Sequence, residues 1–366
     1  MEKSILALVV ATALTAPLVA QADTILYGSA RVSVDYVDEE SGAVEDLLNN
    51  DGYWDITNNS SRLGVLGEEE LGGGLSAIYQ YEFGVDVTEG GNFESNRPKL
   101  VGLKGGFGQI SAGTQETPYY HIVGIADTFN SGRSFGPTAW LGGAFASDSV
   151  RGPGDLVRFD NSLYYATPDL NGFGVEAMLV ADGSLNDNQG FSDDIDFWNL
   201  AAKYSNGPFF AGVSYIKLNG DSNVLVTLDN GSTLLADLDL EQWALGLGYN
   251  SGPFSLALIY EQGDLNSPNL ARKIRFTNGI PLATGDDAKN YYLTGSYAFG
   301  NNTLRAAYGQ LDSGIDGEDT IDNYLVGYQY NFSKRTSLWV EYIGRSADTL
   351  LYGDQNAVSI GTRVDF

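Results

Sequence analysis

The chain has no cysteine, a single histidine and no apolar run after its first two dozen residues that could cross a bilayer as a helix. Each absence closes a class. Without cysteine there is no disulfide framework, although an exported chain could form one. One histidine and no thiolate leave a transition metal without a ligand set. Acid–base or nucleophilic catalysis would rest on His121 alone, which follows Tyr119-Tyr120 in a connecting segment, so no enzyme is expected. The glycine-rich stretches read as hairpin turns, and none cradles phosphate between a strand and a helix. No acidic loop carries the spaced ligands of a calcium site, although loose bridging of divalent ions to lipid phosphates is open. No cofactor is expected. Basic residues are few, 20 against 47 acidic ones, for a net charge of -27. No nucleic-acid partner is expected of such a chain.

The one apolar run, residues 5–14, lies between Lys3 and the small-residue site Ala20-Gln21-Ala22. It is too short to span a membrane. Residues 1–22 read as a signal peptide, with the exported chain starting at Asp23 as a single domain, residues 23–366. If that chain lives in a membrane, it must do so as a closed barrel, because lipid offers backbone groups no partners.

What the chain has is alternation. Leu26, Gly28, Ala30, Val32, Val34 and Tyr36 share one parity, and Tyr27, Ser29, Arg31, Ser33 and Asp35 the other. Residues 254–261 and 323–332 repeat the pattern. Period two marks strands with one apolar and one polar face. Seven connections are tight, at 71–74, 105–108, 168–174, 205–208, 250–253, 300–302 and 333–335. Eight are long, at 37–59, 84–97, 114–159, 182–196, 217–241, 262–290, 312–322 and 345–356. Fifteen connections imply sixteen strands. The expected fold is therefore all-β: a 16-stranded antiparallel transmembrane barrel with short turns on one rim and long loops on the other, the build of a bacterial outer-membrane protein. A sandwich would not segregate its connections in this way.

Aromatics of the apolar parity, among them Tyr249, Tyr260, Tyr297, Phe299, Tyr328 and Tyr342, cluster near strand ends and read as two interfacial girdles. The gaps 37–51, 182–196, 219–241 and 312–322 hold 21 of the 46 acidic residues after Ala22 and no Lys or Arg. An acidic vestibule raises the cation concentration at a mouth, and salt screens it. The longest gap, 114–159, mixes Glu116, Asp127, Asp148 and Asp155 with Arg133, Arg151 and Arg158. A long loop inside a compact domain is usually functional, and this one is expected to fold inward and narrow the lumen.

Several segments resemble the trimeric general-diffusion porins of Gram-negative outer membranes, of the beta-proteobacterial type. They are Thr24-Ile25-Leu26-Tyr27-Gly28, Ser61-Arg62-Leu63-Gly64, Glu70-Leu71-Gly72-Gly73-Gly74-Leu75, Val101-Gly102-Leu103-Lys104-Gly105-Gly106-Phe107-Gly108, Pro168-Asp169-Leu170-Asn171-Gly172-Phe173 and Asn331-Phe332-Ser333-Lys334-Arg335. The resemblance covers essentially the whole chain. It implies a homotrimer among lipid and lipopolysaccharide, and a terminal Phe366 read by the outer-membrane assembly machinery. It also implies an eyelet in which acids on loop 114–159, here Glu116 and Asp127, face arginines on the opposite wall, here Arg31, Arg62 and Arg97. Arg133 and Arg158 on the same loop complete the expected constriction. Thr114 stands where the family commonly has arginine, and Leu66 and Tyr164 lie where a basic residue is usual. The expectation is a passive channel for small hydrophilic solutes and ions, weakly to moderately cation-selective. A substrate-selective channel with a sugar or amino-acid site is the alternative, given Tyr27, Tyr164, Phe210, Tyr292 and Trp339 on lumen parity; a surface adhesin with a plugged lumen also stays open.

Overall fold

The computed structural model describes residues 23–39, 52–90, 93, 97–129, 156–181, 195–227, 233–265, 269–348 and 353–366. The expected leader, residues 1–22, lies outside them. Sixteen antiparallel staves run in chain order: β1 Asp23–Glu39, β2 in two segments Tyr53–Asn58 and Arg62–Gly72, β3 Leu75–Gly84, β4 Lys99–Gly105, β5 Gly108–Glu116, β6 Arg158–Ala166, β7 Phe173–Val180 and β8 Phe197–Asn206. Then come β9 Phe209–Leu218, β10 Leu240–Ser251, β11 Phe254–Gly263, β12 Ala288–Phe299, β13 Asn302–Asp312, β14 Ile321–Asn331, β15 Thr336–Ser346 and β16 Gln355–Asp365. Each pairs with its neighbours in sequence, and β1 also pairs with β16 from Ser29↔Asp365 to Glu39↔Gln355. The sheet therefore closes, and no stave is left as an open edge.

The strand count matches the sequence expectation, with one refinement. β2 is broken at Asn59, Ser60 and Ser61, where Ser60 takes φ 59°. Both halves pair with β1, and the break lies beside Arg31: Asn59 N–H donates to Arg31 O at 3.0 Å, and Arg31 N–H donates to Ser61 Oγ at 2.8 Å. The backbone groups freed by the break are thus satisfied locally.

Polarity is inverted relative to a water-soluble sheet. On β1, Leu26, Val34 and Tyr36 are exposed on the outside, while Ser29, Arg31, Ser33 and Asp35 are at most 4% exposed on the inside. Outward aromatics form two bands. Phe209–Tyr249 and Phe254–Tyr297 (5.2 and 4.8 Å between centroids) lie by the short turns. Trp243–Tyr260 and Tyr260–Tyr291 (5.0 and 4.9 Å) lie by the long loops. Such amphipathic rings favour the two water–lipid interfaces.

The short turns carry the backbone chemistry tight hairpins need. Between β6 and β7, Asn171 and Gly172 both take positive φ, 59° and 90°, the requirement of a twist-matched hairpin turn. The long connections 217–241 and 262–290, expected as plain loops, instead share a small antiparallel sheet of Val224–Thr227, Thr233–Ala236 and Ile274–Phe276. Their alternating β-branched and leucine residues find partners in each other.

Candidate functional site

The third long loop turns into the barrel at a bulge. The β5–β6 register shifts between Gly113 and Gln115, and Gly113 has φ 131°. A bulge bends its strand and re-aims the chain beyond it. Gln115 is held on the lumen side by Ser111 and Ser162. Thr117 then caps a one-turn helix, α1, Pro118–Val123, by accepting Tyr120 N–H at 2.9 Å. Proline at the first helical position fits, since its missing N–H would be unpaired there.

Tyr119, Ile122, Val123 and Ala126 recur at helical spacing and are at most 3% exposed, an apolar stripe facing the wall. α1 packs on β7 to β10, and the following turn, Gly124–Ala126, packs on β11 and β12. Polar pins fix it. Asn199 Oδ1 accepts Tyr119 N–H at 2.7 Å, the Tyr119 hydroxyl bridges Glu261 and Gln242, and Thr294 Oγ1 donates to Thr128 Oγ1 at 2.8 Å. Burial, then the neighbouring Glu261, push the Tyr119 hydroxyl well above its ordinary pKa, so it stays protonated and donates.

Arginines gather on the other side of the lumen. Arg31, on β1, lies in the field of Arg62 from β2, Arg363 from β16 and Arg97 from the segment before β4. Arg97 also feels Arg158, the first residue of β6. Carboxylates are threaded between them. Glu82 Oε1 is 3.2 Å from Arg97 Nη1, and its Oε2 is 3.9 Å from Arg62 Nε. Asp365 accepts from Arg363 at 2.8 Å and from Ser29 at 2.7 Å, and Ser29 Oγ in turn accepts from Arg31. Glu116 Oε1 lies 3.5 Å from Arg158 Nη2.

From Glu116 the alternation of charge continues along the loop's seat. His121 Nε2 is 3.8 Å from Glu116, its Nδ1 is 2.6 Å from Glu176 on β7, and Glu176 pairs with Lys203 on β8. Burial away from water lowers the histidine's affinity for a proton, but hydrogen bonds and charge from Glu116 and Glu176 outweigh it, and its pKa is pushed up to about 9. His121, which from sequence reads as an ordinary polar loop residue, is thus a cation clamping α1 to the wall at neutral pH. A second group forms where the described part of the loop ends. Asp127 interacts there with Tyr292, Arg305 and Glu341, and Arg305 Nη1 is 3.6 Å from Glu341 Oε1.

Of the expected constriction residues, Arg31, Arg62, Arg97, Arg158 and Glu116 come together, and Asp127 lies in the second group. Arg133 is outside the described residues. Glu82, Glu176, Lys203, Arg305, Glu341 and Arg363 were not anticipated. The signal for them is parity: each lies on the inward set of its strand, as Arg363 does between Thr362 and Val364. The lumen is accordingly richer in arginine than the uncharged Leu66, Thr114 and Tyr164 suggest. Among the described residues no three His, Cys, Asp or Glu side chains are placed to hold a metal ion.

A barrel wet inside and apolar outside, with its own loop seated against one wall, is a channel architecture. The family model for the Gram-negative porin matches residues 7–346. The chain belongs to that family. Major outer membrane protein P.IB of Neisseria gonorrhoeae is 27% identical over 96% of this chain and 97% of its own length. P.IA of Neisseria meningitidis serogroup C is 26% identical over the whole of both. Among solved structures, the anion-selective porin from Comamonas acidovorans superposes with a TM-score of 0.72 at 21% identity, covering 94% of this chain and all of that one. Salmonella typhi OmpF superposes with a TM-score of 0.64 at 18% identity, covering 94% and 97%. This porin is therefore an outer-membrane channel for passive diffusion and not an enzyme.

Proposed function

We propose that this porin passes small hydrophilic solutes and ions through a water-filled homotrimeric channel. Its aperture is set between the inward loop, described over 117–129, and the wall arginines Arg31, Arg62 and Arg97, with Glu116 and Arg158 paired at the loop's two roots. The carrying observation is that the loop's described part lines β7 to β12 inside the barrel, while Arg31 and Arg62 project from β1 and β2, Arg97 from the segment before β4, and Glu116 and Arg158 stand where the loop leaves and rejoins the wall. In the narrow zone the cations named above stand beside the carboxylates of Glu82, Asp365, Glu116, Glu176 and Glu341. With Asp127 these carboxylates number six against eight cations, an excess of two, whereas four of the long gaps carry 21 acidic residues and no Lys or Arg; the acidic long-loop rim therefore decides the sign, and the channel is weakly cation-selective. In this it differs from the anion-selective porin of similar fold. The leader 1–22 directs export, and Phe366 is read by the assembly machinery. Reversal potentials across a planar bilayer in a salt gradient test the reading: a small cation preference is expected, and a clear anion preference overturns the selectivity. Conductance linear in solute supports a general pore, whereas saturable block by a sugar or amino acid indicates a selective site.

A further inference from the structure

Two glycines stand directly opposite each other on the lumen face of neighbouring staves. Gly212 of β9 is the register partner of Gly246 of β10. Together they leave a patch of bare backbone, and Ile122 of α1, fully buried, fills it. A Cβ at Gly212 would stand 2.5 Å from Ile122 Cδ1, and one at Gly246 would stand 2.7 Å from the Ile122 carbonyl oxygen and 3.0 Å from its Cγ2. Atoms do not pack that closely. Further along the loop, Gly327 of β14 lies in register between Arg305 and Glu341, and a Cβ there would be 2.9 Å from the Phe129 ring.

None of the three has a positive φ, so the backbone does not call for glycine. Glycine in a strand interior is unfavourable and marks a place where something approaches closely. Here the nearest approaching group is the loop each time, with the wall's own Glu341 Cγ second at Gly327, at 3.0 Å. We propose that Gly212, Gly246 and Gly327 are positioning residues of the constriction: by withholding three methyl groups from the wall, they fix how far the loop stands out into the lumen and so set the aperture. This rests on the reading of loop 114–159 as the aperture.

The two contacts of Ile122 differ in kind, and this supplies the test. Gly246→Ala meets backbone, so the loop itself must lift toward the arginines. Single-channel conductance and the size limit for neutral solutes should both fall. Gly212→Ala meets the tip of a flexible side chain, so its loss should be smaller and should be reversed by Ile122→Val, which removes Cδ1. Ile122→Val should leave the Gly246→Ala loss largely in place. Wild-type conductance in Gly246→Ala, or equal rescue of both variants, overturns the proposal. If Gly246→Ala does not assemble, Gly212→Ala with and without Ile122→Val decides alone: rescue sustains the proposal, and no loss or no rescue overturns it. Arg31→Ala, measured alongside, separates the two readings. A changed current there with unchanged glycine variants sinks the positioning role only, and no change in any of them sinks the constriction itself.

Discussion

Arg31 shows what one residue can do here. It is 3% exposed, held by Ser29 and by the broken segment of β2, and surrounded by other arginines. A unit charge about 8 Å from a permeating ion in water is worth about 0.5 kcal/mol, or about twofold in permeability ratio. Arg31→Ala or Arg62→Ala should therefore raise single-channel conductance and shift the reversal potential toward cations by about that factor. No change in either quantity would remove these residues from the constriction. His121 gives a pH signature. Its pKa is raised above the ordinary value near 6.5, so its clamp between Glu116 and Glu176 is fully present below that value and is lost as pH rises through about 9. Tyr120, Tyr164, Arg158 and Lys203 also face this region. Burial and the nearby Asp127 and Glu116 push Tyr120 up to about 12, above this window. Current noise should rise between about pH 8 and 10 in the wild type and show no such step in His121→Gln.

At the scale of elements, the loop's seat and the hairpin turns are separable. Tyr119→Phe removes the hydroxyl that joins α1 to Glu261 and Gln242, leaving buried polar groups short of a partner. Such a loss costs about 1–3 kcal/mol. Because it falls on the loop's anchor, it should appear as noisier, more frequently interrupted single-channel current with little change in barrel melting. The reverse is expected at the β6–β7 hairpin. Gly172 has φ 90°, and Gly172→Ala strains the turn by about 1 kcal/mol or more. It should lower the melting temperature of the folded barrel and leave conductance alone. The staves and turns were legible in the sequence because alternation and turn residues are local properties. The small loop sheet of Val224–Thr227, Thr233–Ala236 and Ile274–Phe276 was not, because its third strand is far along the chain from the first two and nothing local announces the pairing.

For the whole molecule, charge and closure are the relevant quantities. If the acidic rim sets the sign of selectivity, its influence must follow the screening length, about 10 Å at 0.1 M salt and about 3 Å at 1 M. The cation-to-anion permeability ratio should decline toward unity over that range. A ratio independent of salt would place the selectivity in the constriction instead. Closure depends on β1 meeting β16, and Phe366 completes it: Gly28 N–H donates to Phe366 O at 3.0 Å, and Phe366 N–H donates to Gly28 O at 3.1 Å. Deleting Phe366 should lower the yield of folded barrel in purified lipid as well as in cells. A defect in cells alone would assign the residue wholly to recognition by the assembly machinery.

The sequence by itself determined the class of object: alternating polarity, fifteen connections of two lengths and the absence of a spanning helix leave a sixteen-stave barrel with a wet interior. It also placed Arg31 and Arg62 on the inward face, because parity is fixed two residues at a time; the same parity holds for Arg305 and Arg363, which the structure brought to notice. Only the tertiary structure decided which inward charges meet. Register and closure brought Arg363 beside Arg31, and the bulge at Gly113 sent His121 between Glu116 and Glu176. Those meetings join residues up to hundreds of positions apart, and no local pattern encodes such a distance.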